Sequence, residues 1–88
     1  MNDDIYIFTT RRIVLGQYPI LRVLHDEDGD WQFLSREEVL TESDAMVVSL
    51  GEMMEIDPSL KDVVDIPIGM QAVRDRVGSE WRFLRASR

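Results

Sequence analysis

Residues 25–33, HDEDGDWQF, decide the fold because they contain a turn signal between two runs of β-forming residues. Asp28-Gly29 is among the best residue pairs for a two-residue type I′ turn, in which both turn residues have positive φ. The flanking runs, residues 20–25 and 30–34, are rich in branched and aromatic side chains. The sequence therefore predicts a β-hairpin that turns at Asp28 and Gly29.

The predicted register of this hairpin places Leu24 opposite Phe33 and Asp26 opposite Trp31. The acidic residues then gather at the tip, where water solvates them, and two aromatic side chains follow. The acids of the tip are Asp26, Glu27, Asp28 and Asp30.

The N-terminal part of the chain predicts a strand followed by a short helical turn. Residues 5–9, IYIFT, are apolar and β-prone, which is typical of a strand. Thr9 or Thr10 can cap a helical turn over residues 11–15, and Gly16 provides its end.

The middle of the chain predicts a connection, a strand and a helix. Residues 35–44 are polar and indicate a surface connection with a helical turn at residues 36–40. Residues 45–50, AMVVSL, predict a buried strand, and residues 51–56 predict a helix.

Asp57-Pro58 marks the end of that helix and the start of a second one. Proline disfavours helix in the residue before it but fits the first position of a new helix, which Asp57 would cap. The second short helix covers residues 58–64 and turns Leu60, Val63 and Val64 inward.

Residues 70–77 fit two patterns. Met70, Val73 and Val77 have helical spacing, whereas Val73, Asp75 and Val77 alternate with arginines, as the residues of a strand would. The favoured interpretation is a hairpin that turns near residues 78–79 and continues into a last strand over residues 80–84. That strand, EWRFL, resembles DWQFL at residues 30–34, since both place Trp and Phe on one face.

Together these elements predict an α+β fold: a small antiparallel or mixed sheet with two short helices packed on one face. A chain of 88 residues supplies one hydrophobic core, so residues 1–88 form a single domain. The expected ordered core is residues 5–84, with a frayed tail at residues 85–88. A homodimer would add stability to so small a domain.

The net charge of −7 is unevenly distributed. Residues 22–35 carry −3 and residues 36–68 carry −7, whereas residues 69–88 carry +3, with five arginines against two acids. Such a body repels phosphate backbones, so nucleic acid is not an expected partner. It attracts a basic protein partner, although solubility alone also accounts for the charge.

Cysteine is absent and residues 1–4, MNDD, are acidic where a secretory signal would be basic. No run approaches the roughly 20 apolar residues that span a membrane. We therefore expect a cytoplasmic protein with no membrane partner.

A calcium loop is the first chemical reading of the acidic stretch. Asp26, Asp28, Asp30 and Glu37 occupy positions one, three, five and twelve of an EF-hand. Position six requires glycine for the sharp turn, but Trp31 stands there. The sequence therefore does not favour a calcium site.

The sequence gives little support for catalysis or for a site that binds another metal. His25 and Asp26 supply two ligand types, but adjacent strand residues point to opposite faces, and a catalytic zinc site generally has three protein ligands. Ser35 and Ser49 lie in no recognised nucleophile motif. The sequence predicts no enzyme, no cofactor and no metal.

The chain resembles a bacterial family of small proteins catalogued as a domain of unknown function. That family overlaps the immunity proteins of polymorphic toxin systems, of the immunity protein thirty-three type. The likeness is carried by Pro19-Ile20, residues 25–34 and 44–48, Leu50, residues 56–60, Pro67, Gly69, Val77-Gly78 and Trp81. The resemblance implies an immunity role and contains no catalytic residue set.

The leading hypothesis is a non-enzymatic acidic protein-binding module of immunity type, whose partner is a basic protein or a toxin. Its predicted partner-binding residues are Asp26, Glu27, Asp28, Asp30, Trp31, Glu52 and Glu55, supported by Asp57 and Asp62 on the helices. One alternative is a structural or regulatory homodimer whose acidic surface only maintains solubility. A second alternative is a metal-dependent enzyme that uses the region of His25 and Asp26.

Overall fold

The structure, a computed structural model, describes residues 5–36 and 38–86 and confirms the α+β class. A six-stranded mixed sheet carries helices on one face. Along the chain the elements are β1 (Tyr6–Thr10), α1 (Arg11–Val14), β2 (Arg22–His25), β3 (Trp31–Leu34), β4 (Ala45–Ser49), α2 (Leu50–Ile56), a 3-10 helix (Pro58–Asp62), β5 (Met70–Val73) and β6 (Arg82–Arg85).

The strands lie in the order β4-β1-β3-β2-β5-β6, so β4 and β6 form the two edges of the sheet. Neighbouring strands are antiparallel except β1 and β3, which run parallel with Phe8 opposite Gln32. This one parallel pair makes the sheet mixed.

The core lies on one face of the sheet because side chains alternate between faces along each strand. Val23, Phe33 and Ala72 occupy equivalent positions on three neighbouring strands, and each is 0% exposed. Ile7, also 0% exposed, lies on the same face of β1, in line with Trp31. This face is called the core face below. It is covered by Leu50 and Met53 of α2, by Leu60 of the 3-10 helix and by Val63 directly after it.

The predicted hairpin exists, but the predicted type I′ turn is wrong. Gly29 has φ +89°, whereas Asp28 does not have positive φ, because among the described residues only glycines do. The Gly29 N–H donates to the Asp26 carbonyl at 3.0 Å and the Asp26 N–H to the Asp30 carbonyl at 2.9 Å. The loop therefore has three residues, a type I turn followed by a glycine bulge.

The longer loop shifts the register by one residue. Val23 lies opposite Phe33 and His25 opposite Trp31, in place of the predicted pairs of Leu24 with Phe33 and Asp26 with Trp31. A type I turn followed by a glycine in the left-handed conformation gives this register. The register places the His25 imidazole against the Trp31 indole.

The first helix is not capped by a threonine side chain, in contrast to the prediction. Thr10 is the residue before α1, but its hydroxyl donates to Glu38 Oε2 at 2.5 Å and does not cap the helix. The Thr9 hydroxyl donates to the Phe33 carbonyl, 2.7 Å away. Both threonines lie in β1. Their hydroxyls bond to residues that are distant in the chain, and these bonds compete with capping of the helix. Gly16 ends this segment with φ +78°, as predicted.

Two predictions for the middle of the chain are wrong. Residues 38–40 are not helical, and Glu37 lies outside the described residues. Strand β4 is an edge strand, not a buried one: Val48 faces the core, whereas Val47 is 58% exposed. An edge strand has a neighbour on one side only, so less of it is buried.

The first helix after β4 confirms its prediction, although it begins one residue earlier, at Leu50. The second starts at Pro58 as predicted but is a 3-10 helix that ends at Asp62, two residues before the predicted end. Ser49 caps α2 in a capping box with Glu52, and Asp57 caps the 3-10 helix, which has Pro58 at its first turn. The inward-facing residues are Leu60, Val63 and Val64, all buried as predicted.

The ambiguous C-terminal segment forms a hairpin, the favoured of its two interpretations. Val73 pairs with Arg82, so the connection covers residues 74–81 and is longer than a tight turn at residues 78–79. Strand β6 extends through Arg85, one residue beyond the predicted ordered core, and residues 87–88 of the predicted tail lie outside the described residues.

Candidate functional site

The acidic tip, residues 26–30, is held in shape by one of its own carboxylates. Asp26 Oδ1 accepts hydrogen bonds from the N–H of Asp28 at 2.9 Å and of Asp30 at 3.0 Å. Asp26 therefore orders the loop, while Glu27, Asp28 and Asp30 are exposed. The tip displays negative charge on a loop with defined geometry.

The base of the tip is tied to the core through His25. Its ring stacks on Trp31 with centroids 3.9 Å apart and planes 13° apart. Its Nδ1 lies 2.8 Å from the Ile66 carbonyl. Because a carbonyl only accepts, Nδ1 carries the proton and His25 donates to the segment before β5.

The structure places Trp31 in the core, although it was predicted as a partner-binding residue. Its indole is 8% exposed and meets Phe33 edge-on at 6.2 Å. Trp31 shares the core face of β3 with Phe33 whichever register the hairpin has, and the observed register adds the contact with His25. A partner at the tip therefore meets the acids and not the indole.

The helical acids Glu52 and Glu55 lie toward the same end of the sheet as the acidic tip. Tyr6 pairs with Ser49, and β1 runs parallel to β3, so the start of α2 and the start of β3 share one end. Glu52 is engaged in its capping box with Ser49, whereas Glu55 is exposed.

The other two helical acids differ in their surroundings. Asp62 is exposed, but Asp57 faces inward and contacts Arg74, whose side chain is 1% exposed. The Arg74 guanidinium donates to Asp57 Oδ2 at 2.5 Å, to Ser59 Oγ at 2.9 Å and twice to the Ile20 carbonyl. It also lies 4.2 Å from the ring centroid of Trp81. Asp57 therefore belongs to a structural cluster and not to a displayed surface.

Burial by itself raises the pKa of Asp57, but hydrogen bonds from Ser59 and Arg74 outweigh it, and the net pKa lies below the ordinary value. A folded-state pKa below the unfolded one stabilises the fold above the unfolded pKa, about 4 for Asp, and this stability is lost as pH falls further. We expect the unfolding free energy to fall less steeply below about pH 4 in Asp57→Asn than in the parent chain.

Urea unfolding at a series of pH values measures this difference. Asp65→Asn, at an exposed carboxylate, is the matched control and should keep the parent slope. Equal slopes for the parent and Asp57→Asn would contradict the assignment.

Within residues 5–36 and 38–86, no three side chains of the types His, Cys, Asp or Glu are placed so that they could hold a metal ion. The last EF-hand position, Glu37, lies outside these residues. His25 is engaged with Ile66, and Ser49 caps α2. Ser35 is 8% exposed, and its N–H donates to Glu38 at 2.8 Å.

An open cleft of about 690 Å³ beside the segment after β3 is a feature that the sequence interpretation missed. Among its lining residues, Arg12 lies 3.1 Å from Asp44 and 5.7 Å from the ring centroid of Tyr18. The Arg36 guanidinium donates to the Asp75 carbonyl. At another part of the cleft, the Glu38 carboxylate accepts hydrogen bonds from the Thr10 hydroxyl and from the Ser35 N–H. The spacing of Ser35 and Glu38 matches a capping box and could have indicated this contact.

Comparison of the chain with protein-family models, curated proteins and solved structures gave no match. In the part of the chain that the structure describes, no helix has the length and apolar character needed to cross a membrane.

Proposed function

We propose that this chain is a non-enzymatic protein-binding module that presents the acidic tip to a basic surface of a partner protein. The observation that carries the proposal is the tip itself: four acidic residues within five positions, on a loop ordered by Asp26. Exposed carboxylates on an ordered loop steer a basic partner and lose little entropy on binding. Glu55 adds charge at the same end of the sheet.

The resemblance to immunity proteins supplies the kind of partner for this proposal. An immunity protein binds a toxin, and a basic toxin surface would suit the tip. The candidate partner is the protein encoded by the neighbouring gene, and co-expression with this chain tests whether it is neutralised.

The tip is tested with Asp28→Asn combined with Asp30→Asn, which removes two exposed charges and keeps Asp26 to order the loop. We expect association with the neighbouring gene product, measured by surface plasmon resonance, to slow about 3- to 10-fold at low salt. The difference should shrink at about 0.5 M salt because ions screen exposed charges.

Glu42→Gln combined with Asp65→Asn is the matched control, since it removes two exposed charges elsewhere. Equal slowing by both double variants would assign the effect to net charge, and unchanged binding by the tip variant would contradict the proposal.

A homodimer is the second candidate, favoured by the sheet face opposite the core face. Tyr6 is 69% and Val47 58% exposed there, with Phe8 between them in the pairing register. All six strands lie within the described residues, and none contains Asp or Glu. The Glu38 carboxylate reaches this face at Thr10, at the far end of β1 from Tyr6. Two copies of a chain with charge −7 can therefore approach through the part of the face around Tyr6 and Val47 with little repulsion between carboxylates.

Light scattering tests the homodimer. A dimer that Val47→Lys converts to a monomer, while Val39→Lys does not, would support it. Both positions are exposed, 58% and 74% respectively, so neither change should unfold the chain. A parent chain that stays monomeric at high concentration would rule this candidate out.

A further inference from the structure

The two edges of the sheet differ in how their outward backbone groups are used. In an antiparallel pair, residues alternate between those bonded to the neighbour and those that point away from it. On β4, the bonds of Leu50 to Ile5 and of Arg11 to Asp44 show that the odd-numbered residues point outward.

The β4 edge is closed at both ends. The outward N–H of Ala45 donates to the Thr41 carbonyl at 2.8 Å, and that of Ser49 approaches Glu52 Oε1 at 3.4 Å. Among the outward-pointing residues of β4, only Val47, in the middle, keeps a backbone N–H that is available to pair with another strand. Such local bonds protect an edge from further pairing.

The β6 edge is open. The Ala86 N–H donates to the Gly69 carbonyl at 2.8 Å, so the even-numbered residues of β6 bond to β5, and Phe83 and Arg85 point outward. Within residues 5–36 and 38–86, β6 pairs with β5 alone, and no backbone–backbone bond to another segment engages Phe83 or Arg85. The Arg85 carbonyl accepts only a long bond of 3.4 Å from the Gln71 side chain.

The side chains of β6 are exposed on both faces of the sheet. Phe83 is 53% and Leu84 46% exposed, and both flanking residues, Arg82 and Arg85, are exposed as well. Each face of the strand therefore has one apolar side chain and one arginine; Arg82 contacts Asp75 at 3.3 Å, in a pair whose side chains are both 56% exposed. The surrounding segment, residues 69–88, carries +3 in a chain of −7, and one of its arginines, Arg74, is buried against Asp57.

A second copy of the chain does not fit this edge. In an antiparallel pair, residues that point outward lie opposite each other, so a twofold axis between two β6 strands falls at residue 83, 84 or 85. With the axis at residue 85, Arg85 lies directly opposite its own copy; at residue 84, Arg85 is the diagonal neighbour of its copy; and at residue 83, Arg82 is. Like charges this close destabilise a strand pair.

We propose that the β6 edge binds an extended acidic segment of a partner protein, which adds a seventh strand to the sheet. The outward N–H and C=O groups of Phe83 and Arg85 form the backbone hydrogen bonds to the added strand, as in other cases of strand addition. Opposite Arg82, Phe83, Leu84 and Arg85 the segment places an acidic, an apolar, an apolar and an acidic residue. This order reads the same in both directions, so it suits parallel and antiparallel addition. Arg85 lies at the same end of the sheet as the acidic tip, two strands away, because Arg85 pairs with Met70 and Met70 pairs with His25. The proposal uses no residue of the tip and does not depend on the proposed function.

The experiment measures fluorescence anisotropy of a labelled peptide that contains Glu-Val-Val-Glu between Ser-Gly flanks. A peptide of identical composition with Val-Glu-Glu-Val is the control for net charge, and a single-stranded oligothymidine is the control for nucleic acid. We expect the first peptide alone to bind, with an affinity that weakens as salt rises.

Variants locate the binding on the edge. Arg82→Gln combined with Arg85→Gln should weaken binding about 10-fold or more, whereas Arg11→Gln combined with Arg76→Gln, also exposed, should not. Phe83→Pro removes an outward N–H without removing a bond to β5. It should bind about 2- to 10-fold more weakly than Phe83→Ala, which loses the side chain but keeps the donor.

Circular dichroism checks that each variant is folded. Equal binding of the two peptides, equal loss in both arginine pairs, or binding of the oligothymidine in place of the peptide would each overturn the proposal. The tip variant Asp28→Asn with Asp30→Asn should bind the peptide at least as tightly as the parent does, because it removes negative charge near Arg85. The proposed function instead expects this variant to weaken partner binding, so the two results are separate.

Discussion

Replacing Asp57 with alanine is expected to lower the unfolding free energy by about 3–5 kcal/mol, because it leaves the buried guanidinium of Arg74 without its carboxylate. Arg74 is 3% exposed, so water cannot replace the lost partner. Its remaining acceptors, the Ile20 carbonyl and Ser59, are neutral. Urea denaturation measures the change. The contact also joins the start of the 3-10 helix to the end of β5, so both segments should lose protection from hydrogen exchange.

The matched control is Asp75→Ala. Asp75 also pairs with an arginine, Arg82, at 3.3 Å, but both side chains are 56% exposed. An exposed pair contributes about 0.2–1 kcal/mol, so this variant should stay close to the parent. Equal losses for the two variants would mean that burial of Arg74 does not decide the effect.

Replacing Phe33 with alanine is expected to cost about 3–5 kcal/mol, the usual range for removing a buried aromatic ring. Phe33 is 0% exposed and lies at the centre of the sheet, where it meets the edge of Trp31. The surrounding strands can relax only partly, so a cavity remains. Thermal and urea unfolding should both report the loss. Phe33→Leu keeps most of the volume and should cost about 1.5 kcal/mol or less.

Phe83→Ala provides the comparison within the same chain. Phe83 occupies the equivalent position in the similar segment EWRFL but is 53% exposed on an edge strand. Its replacement should change the unfolding free energy by about 0.5 kcal/mol or less. A loss as large as that of Phe33→Ala would show that β6 is packed far more closely than its exposure indicates.

The acidic hairpin shows how far the candidate site could be predicted. The turn, its glycine and the exposure of Asp28 and Asp30 follow from residues that are neighbours in the chain. The loop length did not follow, because Asp-Gly also suits a type I turn with a glycine bulge. One residue of register then decided that Trp31 stacks on His25 in the core.

The β6 edge could not be predicted because its properties depend on position in the sheet. The segments DWQFL and EWRFL have the same pattern, yet Phe33 lies at the centre of the sheet and Phe83 at its margin. Neither segment contains information about which strands will flank it. The same holds for β4, whose apolar sequence predicts burial and whose edge position leaves Val47 exposed.

The sequence by itself determined the turn at Gly29, the capping box of Ser49 with Glu52 and the helix start at Asp57-Pro58. These features act through backbone groups within four residues of one another, so neighbouring side chains suffice to specify them. Only the tertiary structure decided the strand order, the partner of Arg74 and the open edge at β6. Each of these depends on segments that are distant in the chain and that come together only when the core excludes water.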